Sequence, residues 1–195
     1  MAEITKSFIR NIHKKKRMNM TFLEKEDKDR SIFENVINYR KFLYAKIVLT
    51  YVSTKLEVDT INIMKHCLKN NKKLAVPICS KKDFSMDFYY ISSLEELHIS
   101  AFSLLEPKLI TKNLVSGEDI KKSICLVPGL AYSLSGHRIG YGCGFYDRFF
   151  SRFSCFKLGL CYNFNIEKNV LDTSLDVCVD AIATEGGIIN ISKDI

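Results

Sequence analysis

The chain predicts an α/β fold: a mostly parallel central sheet flanked by helices on both faces, three layers deep, forming a single domain over 1–195. Three observations predict it. Short β-branched runs alternate with stretches of helical period. Several of those runs are apolar throughout, as strands covered on both faces are. A chain of 195 residues with 47% hydrophobic content can also bury a sizeable core.

The elements follow in order. "EITKSFIRNI" sets Ile4, Phe8, Ile9 and Ile12 at helical spacing, and puts Lys6 and Arg10, four apart, on one helical face. "SIFENVINYRKFL" (31–43) predicts a second helix, opened by a Ser31/Glu34 capping box. "AKIVLTYV" (45–52) predicts a buried strand. A helix over 57–71 follows, with Ile61, Met64 and Leu68 on its apolar face and Asn70-Asn71 closing it. Strands are predicted at 73–78, 85–91, 124–128, 156–162 and 180–184, with a short helix at 144–153. Ligands of such sheets collect beyond the carboxyl ends of the strands. The loop after Val127 and the Glu57 turn after Val52 would share that edge.

Composition excludes several classes. No run of about 18 apolar residues exists, so no membrane span is expected. No signal peptide is read after the Lys14–Arg17 cluster, because a mixed charged segment follows it. Seven cysteines, odd in number and without a CxxC pair, argue against a disulfide framework or zinc ribbon and place the chain in a reducing cytoplasm. The net charge of +7 admits nucleic acid or a polyanionic small ligand. Because Lys25, Lys28, Lys41, Lys46, Lys55 and Lys65 are scattered among acids and apolar positions, a solvated surface is the plainer reading.

The chemistry concentrates in "SGHRIGYGCGFYDRFF" (135–150), where Gly136, Gly140, Gly142 and Gly144 take four of the nine glycines. Glycine permits positive φ and close approach to the main chain. Successive amides in such a turn make an anion nest, and a helix beginning there adds its positive end. Arg138 precedes the nest, and Asp147 falls in the first helical turn, where a carboxylate could hold magnesium against a phosphate. Two other readings stand beside this one. The stretch could be a capped surface loop, since it is neither a Walker A nor a GxGxxG fingerprint. It could also present Cys143 as a nucleophilic thiol, with His137 as base.

The longer line "LVPGLAYSLSGHRIGYGCGFYDRFF" resembles the signature of the 5-formyltetrahydrofolate cyclo-ligase family, also called methenyltetrahydrofolate synthetases, from Val127 to Asp147. "KSFIR" (6–10), "YVSTKLEVDT" (51–60) and "LDVCVDAIATE" (175–185) resemble three further family segments in order, so the resemblance spans nearly the whole chain. It implies an ATP- and magnesium-dependent conversion of 5-formyltetrahydrofolate to 5,10-methenyltetrahydrofolate, releasing ADP and phosphate. By that resemblance Lys6, Arg10 and the run Arg138, Ile139, Gly140, Tyr141, Gly142, Cys143, Gly144, Phe145 and Tyr146 would contact ATP. Val52, Glu57 and the Tyr141–Phe145 backbone would face the folate. Asp147 and Asp176 would hold magnesium, with Arg138 and Asp147 carrying catalysis. The partners expected are these small molecules, with no nucleic acid and no membrane, bound by a cytoplasmic monomer.

Two positions depart from the family pattern. Cys143 stands where Gly or Lys is common, and Leu175 where His often stands; Cys143 reads as a small filler rather than a nucleophile. The departures leave two rival expectations: a family-like domain that binds folate or nucleotide without turnover, and a basic nucleic-acid-binding module.

Overall fold

Residues 5–100, 104–167 and 177–192 are described by a computed structural model of the chain. Three helices open it: α1 (Lys6–Met18), α2 (Phe22–Asn38) and α3 (Arg40–Tyr44). Strand β1 (Ile47–Leu49) leads through a loop to α4 (Ile61–Lys69), then to β2 (Lys73–Cys79) and β3 (Met86–Ile91). A hairpin of β4 (Leu97–Ile99) and β5 (Leu105–Pro107) precedes α5 (Gly117–Lys121) and β6 (Ile124–Pro128). Short strands β7 (Ala131–Ser133) and β8 (Arg138–Ile139) carry the chain to α6 (Phe145–Arg152) and β9 (Phe156–Leu160). Last come β10 (Ile166–Glu167), β11 (Ala181–Thr184) and β12 (Gly187–Asn190).

Seven strands form the central sheet in the order β12-β11-β9-β6-β1-β2-β3. The inner five are parallel, and the two edges, β3 against β2 and β12 against β11, are antiparallel. Side chains alternate across the sheet as the strand period requires. Val48, Leu126 and Leu158 turn to a core shared with Ile32 and Val36 of α2 and Ile63 and Met64 of α4. Leu49, Cys125, Val127 and Ile182 turn to the opposite core, with Ile120 of α5 and Phe149 of α6. Helices therefore cover both faces, giving the three layers expected. No helix among the described residues is long and apolar enough to cross a membrane.

The element boundaries needed correction at the start of the chain. Helix α1 continues through the basic cluster to Met18. Helix α2 begins at Phe22, nine residues before the expected start, because Thr21 and Glu24 close the capping box instead. Ser31 sits inside that helix and donates its hydroxyl to the Asp27 carbonyl. The strand at 45–52 shortens to three residues and the helix at 57–71 to 61–69, because the loop between them folds into side-chain hydrogen bonds. In it the Thr60 hydroxyl donates to the Tyr51 carbonyl and the Tyr51 hydroxyl to the Val58 carbonyl. The three-stranded sheet β10-β7-β8 and strand β12 were not anticipated.

Candidate active site

The carboxyl ends of β1, β2 and β6 open into one cavity of about 460 Å³. Tyr51, Val52, Thr54 and Glu57 line it from the loop after β1, Pro77 and Cys79 from the end of β2, and Pro128 from the end of β6. The run from Arg138 to Asp147 forms another wall, and Lys6 and Arg10 reach in from α1. Every site residue expected from the sequence except Asp176 thus borders the same space. Asp176 and Leu175 lie outside the described residues.

The glycine loop is held by local sequence. Gly142 stands at φ +110°, a conformation that a side chain would strain, and Gly144 is the N-cap of α6. The Arg10 guanidinium packs on this loop and donates through Nε to the Gly140 carbonyl at 2.9 Å. Arg138 is tucked into the wall. Its Nη2 donates to Asp147 Oδ1 at 3.0 Å, its Nη1 to the Pro128 carbonyl at 3.3 Å, and its guanidinium lies over the Tyr146 ring. The pair fixes the Asp147 carboxylate at the cavity edge. The Tyr146 hydroxyl beneath is buried and lacks a hydrogen-bond partner among the described residues, a cost the loop carries.

Gly129, of the Pro128-Gly129 step, has a steric reason. A Cβ there would meet the Tyr132 ring at 2.5 Å, and Tyr132 is fully buried with its hydroxyl donating to the Val127 carbonyl. Only glycine lets the chain pass this close.

Glu57 is 8% exposed and is not in a helical first turn, since α4 begins four residues later. Its Oε2 accepts from the Thr54 amide at 2.8 Å and the Thr54 hydroxyl at 2.9 Å. Burial pushes its carboxyl above the ordinary value, opposed by those two hydrogen bonds and by the Arg17 and Lys25 charges. Oε1 has no hydrogen bond among the described residues.

Cys143 is exposed, and its carbonyl accepts from Arg148 Nη2. His137 does not border the cavity. Its ring pairs with Cys178 Sγ at 3.4 Å, so the geometry gives no support to His137 as a base for Cys143. Cys79, in the opposite wall, has its thiol pushed up to about 12, chiefly by burial.

Sequence reasoning missed Arg17, which it named only as the end of the basic Lys14–Arg17 cluster. Arg17 is 3% exposed and makes hydrogen bonds to Leu56, Gly129 and Asn165. A signal was present: Lys6, Arg10, His13 and Arg17 recur every three or four residues, a polar stripe on one helical face. The wall at Leu104, Leu105 and Glu106 carried no comparable signal.

Fold and site together define a small-molecule α/β enzyme, with a glycine loop, cations and a buried carboxylate around one cavity. A model of the 5-formyltetrahydrofolate cyclo-ligase family matches residues 2–185. The chain belongs to that family. It is 29% identical over 188 residues to the mitochondrial 5-formyltetrahydrofolate cyclo-ligase of Arabidopsis thaliana, covering 84% of this chain and 68% of that protein. It is 29% identical over 177 residues to a probable 5-formyltetrahydrofolate cyclo-ligase of Caenorhabditis elegans, covering 84% and 86%. Among solved structures, 5,10-methenyltetrahydrofolate synthetase of Aquifex aeolicus superposes with a TM-score of 0.84 at 28% identity, covering 97% of this chain and 94% of that one. The Mycoplasma pneumoniae synthetase, at 21% identity and TM-score 0.73, supports the fold alone.

Proposed function

We propose that this chain converts 5-formyltetrahydrofolate to 5,10-methenyltetrahydrofolate, with ATP and magnesium, as a cytoplasmic monomer. The observation that carries the reading is the convergence of Lys6, Arg10, Glu57 and the Arg138–Asp147 loop on one cavity at the sheet's carboxyl edge. In the reaction the formyl oxygen attacks the γ-phosphorus, the bond to the β-phosphate oxygen breaks, and ADP leaves. N10 of the folate then attacks the activated formyl carbon and phosphate departs with the former formyl oxygen, as N10 gives up its proton.

No covalent enzyme nucleophile is needed, so the protein's work is alignment and charge neutralisation. Lys6 and Arg10 supply cations from the helix face above the glycine loop, and the loop amides at the start of α6 supply donors. Glu57 Oε1 accepts from pterin N–H groups and so orients the folate.

Magnesium is commonly held by one or two carboxylates together with phosphate and water. Asp147 fits that role: its Oδ1 is steadied by Arg138 and its carboxylate borders the cavity. Among the described residues no three His, Cys, Asp or Glu side chains form a cage. Asp147, with Asp176, would hold the ion, which neutralises phosphate charge.

The test is ATP-dependent appearance of the near-UV absorbance of methenyltetrahydrofolate. Asp147→Asn should cut turnover by about two orders of magnitude or more. A folded wild-type protein that leaves 5-formyltetrahydrofolate unchanged beside ATP and magnesium would overturn the reading. Binding in titration without turnover would favour the non-catalytic rival.

A further inference from the structure

We infer that Arg17 is the positioning residue of the folate end of the cavity: its guanidinium ties the peptide carrying Glu57 to the segment that leads into the glycine loop, and so fixes the gap into which the pterin fits. The inference rests on the folate reading above.

Arg17 stands in the last turn of α1 and does not itself border the cavity. Nη1 donates to the Leu56 carbonyl at 3.0 Å, the peptide oxygen immediately before Glu57. Nη2 donates to the Gly129 carbonyl at 2.5 Å, just beyond β6, with the Leu130 carbonyl at 3.5 Å. Nε donates to Asn165 Oδ1 at 3.0 Å, and the guanidinium plane lies over the Tyr162 ring, 5.4 Å from its centroid. Three segments, distant in sequence by 39, 112 and 148 residues from Arg17, meet on one side chain. Its charge also acts on the Tyr141 phenol of the glycine loop, opposing the burial that raises that group.

A planar fork with fixed donor directions can span three acceptors at once; a lysine ammonium on a flexible stem cannot hold that geometry. Burying a cation without a carboxylate in contact is expensive, and packing alone would favour an apolar side chain there. The charge is instead balanced by carbonyl dipoles and by Glu57 nearby. Removing the fork should let the Glu57 loop drift from the glycine loop. A misplacement of about 1 Å at such a site can cost about 100-fold in rate.

The experiment compares wild type with Arg17→Lys in steady-state kinetics, varying each substrate separately. The expected result is an apparent KM for 5-formyltetrahydrofolate raised about tenfold or more, equivalent to one charge-assisted hydrogen bond. The KM for ATP should stay within about threefold of wild type, because Lys6 and Arg10 lie on other turns of α1 and the loop before α6 is held by Arg10 at the Gly140 carbonyl, whereas Arg17 donates to Leu56, Gly129 and Asn165. Folate KM unchanged, or both constants rising together, would overturn the role. Should Arg17→Lys not fold, Asn165→Ser frees Nε of Arg17 and also takes the Nδ2 donor from His13 Nδ1, so it is compared with His13→Gln; the folate-selective split, at smaller size, should appear in Asn165→Ser alone, and a flat folate KM there would overturn the role equally. A wild type inactive on the folate defeats the functional reading and this inference with it, whereas an active wild type with an unselective variant defeats this inference alone.

Discussion

Glu57 shows how one carboxylate can be costly to the fold and useful to the site. Burial holds a proton on it to higher pH than on an ordinary glutamate. Below its usual value near 4.5 folded and unfolded chains are both protonated at this position, and it is neutral toward stability. Above that value the unfolded chain releases the proton first, so stability declines as pH rises towards the raised folded value. The full cost is then in place. Glu57→Gln removes that cost and keeps an oxygen for Thr54. Its Tm should equal or exceed wild type at pH about 7.5, with the gap closing below pH about 4.5. The same variant should raise the folate KM by about 10- to 150-fold through a weakened hydrogen bond to the pterin. Melts at the two pH values and a folate titration check both halves.

At the scale of elements, α2 owes its start to Thr21, whose hydroxyl accepts from the Glu24 amide while the Glu24 carboxylate accepts from the Thr21 amide at 2.8 Å. Thr21→Ala should cost about 1 kcal/mol in denaturant unfolding. Activity per folded molecule should be unchanged, because α2 packs on the face of the sheet away from the glycine loop. Loss of activity without loss of stability would contradict this placement. Two candidate boxes, Thr21/Glu24 and Ser31/Glu34, share one sequence pattern. The choice between them came from the long continuous helix that Ile32 and Val36 anchor in the core. The short apolar run 124–128 and the amphipathic segment 144–153 were legible, the first because a strand covered on both faces is apolar throughout and the second because its apolar residues fall on one helical face. The two- and three-residue strands β7, β8 and β10 were not, since they are too short to show a period.

Across the whole molecule, the N-terminal helix is tied to a segment 154 residues later by His13. Its Nδ1 accepts from Asn165 Nδ2 at 2.8 Å, so Nε2 carries the hydrogen and donates to Glu167 Oε1 at 2.7 Å. Burial lowers the His13 pKa and the nearby Lys16 and Arg17 charges lower it further, against the raising effect of Glu167. The tie is therefore complete above the ordinary value of 6.5 and is lost as pH falls through the lower folded value, because the unfolded chain takes up the proton first. Wild-type Tm should drop as pH falls below about 6.5, and His13→Gln should flatten that slope. Equal slopes in the two proteins would remove His13 from the acid response.

What the amino-acid sequence determined by itself was local: the alternation of strands and helices, the glycine loop with Asp147 three residues beyond Gly144, and the family signature from Val127 to Asp147. Periodicity and turn chemistry depend on neighbours within one or two turns, and those are written in order along the chain. The burial of Arg17 at the end of a run of lysines, the pairing of Arg138 with Asp147, and the placement of Glu57 in a hydrogen-bonded loop were decided only in three dimensions. Each depends on which distant carbonyl or carboxylate arrives beside it, and that arrival is set by the order of strands in the sheet.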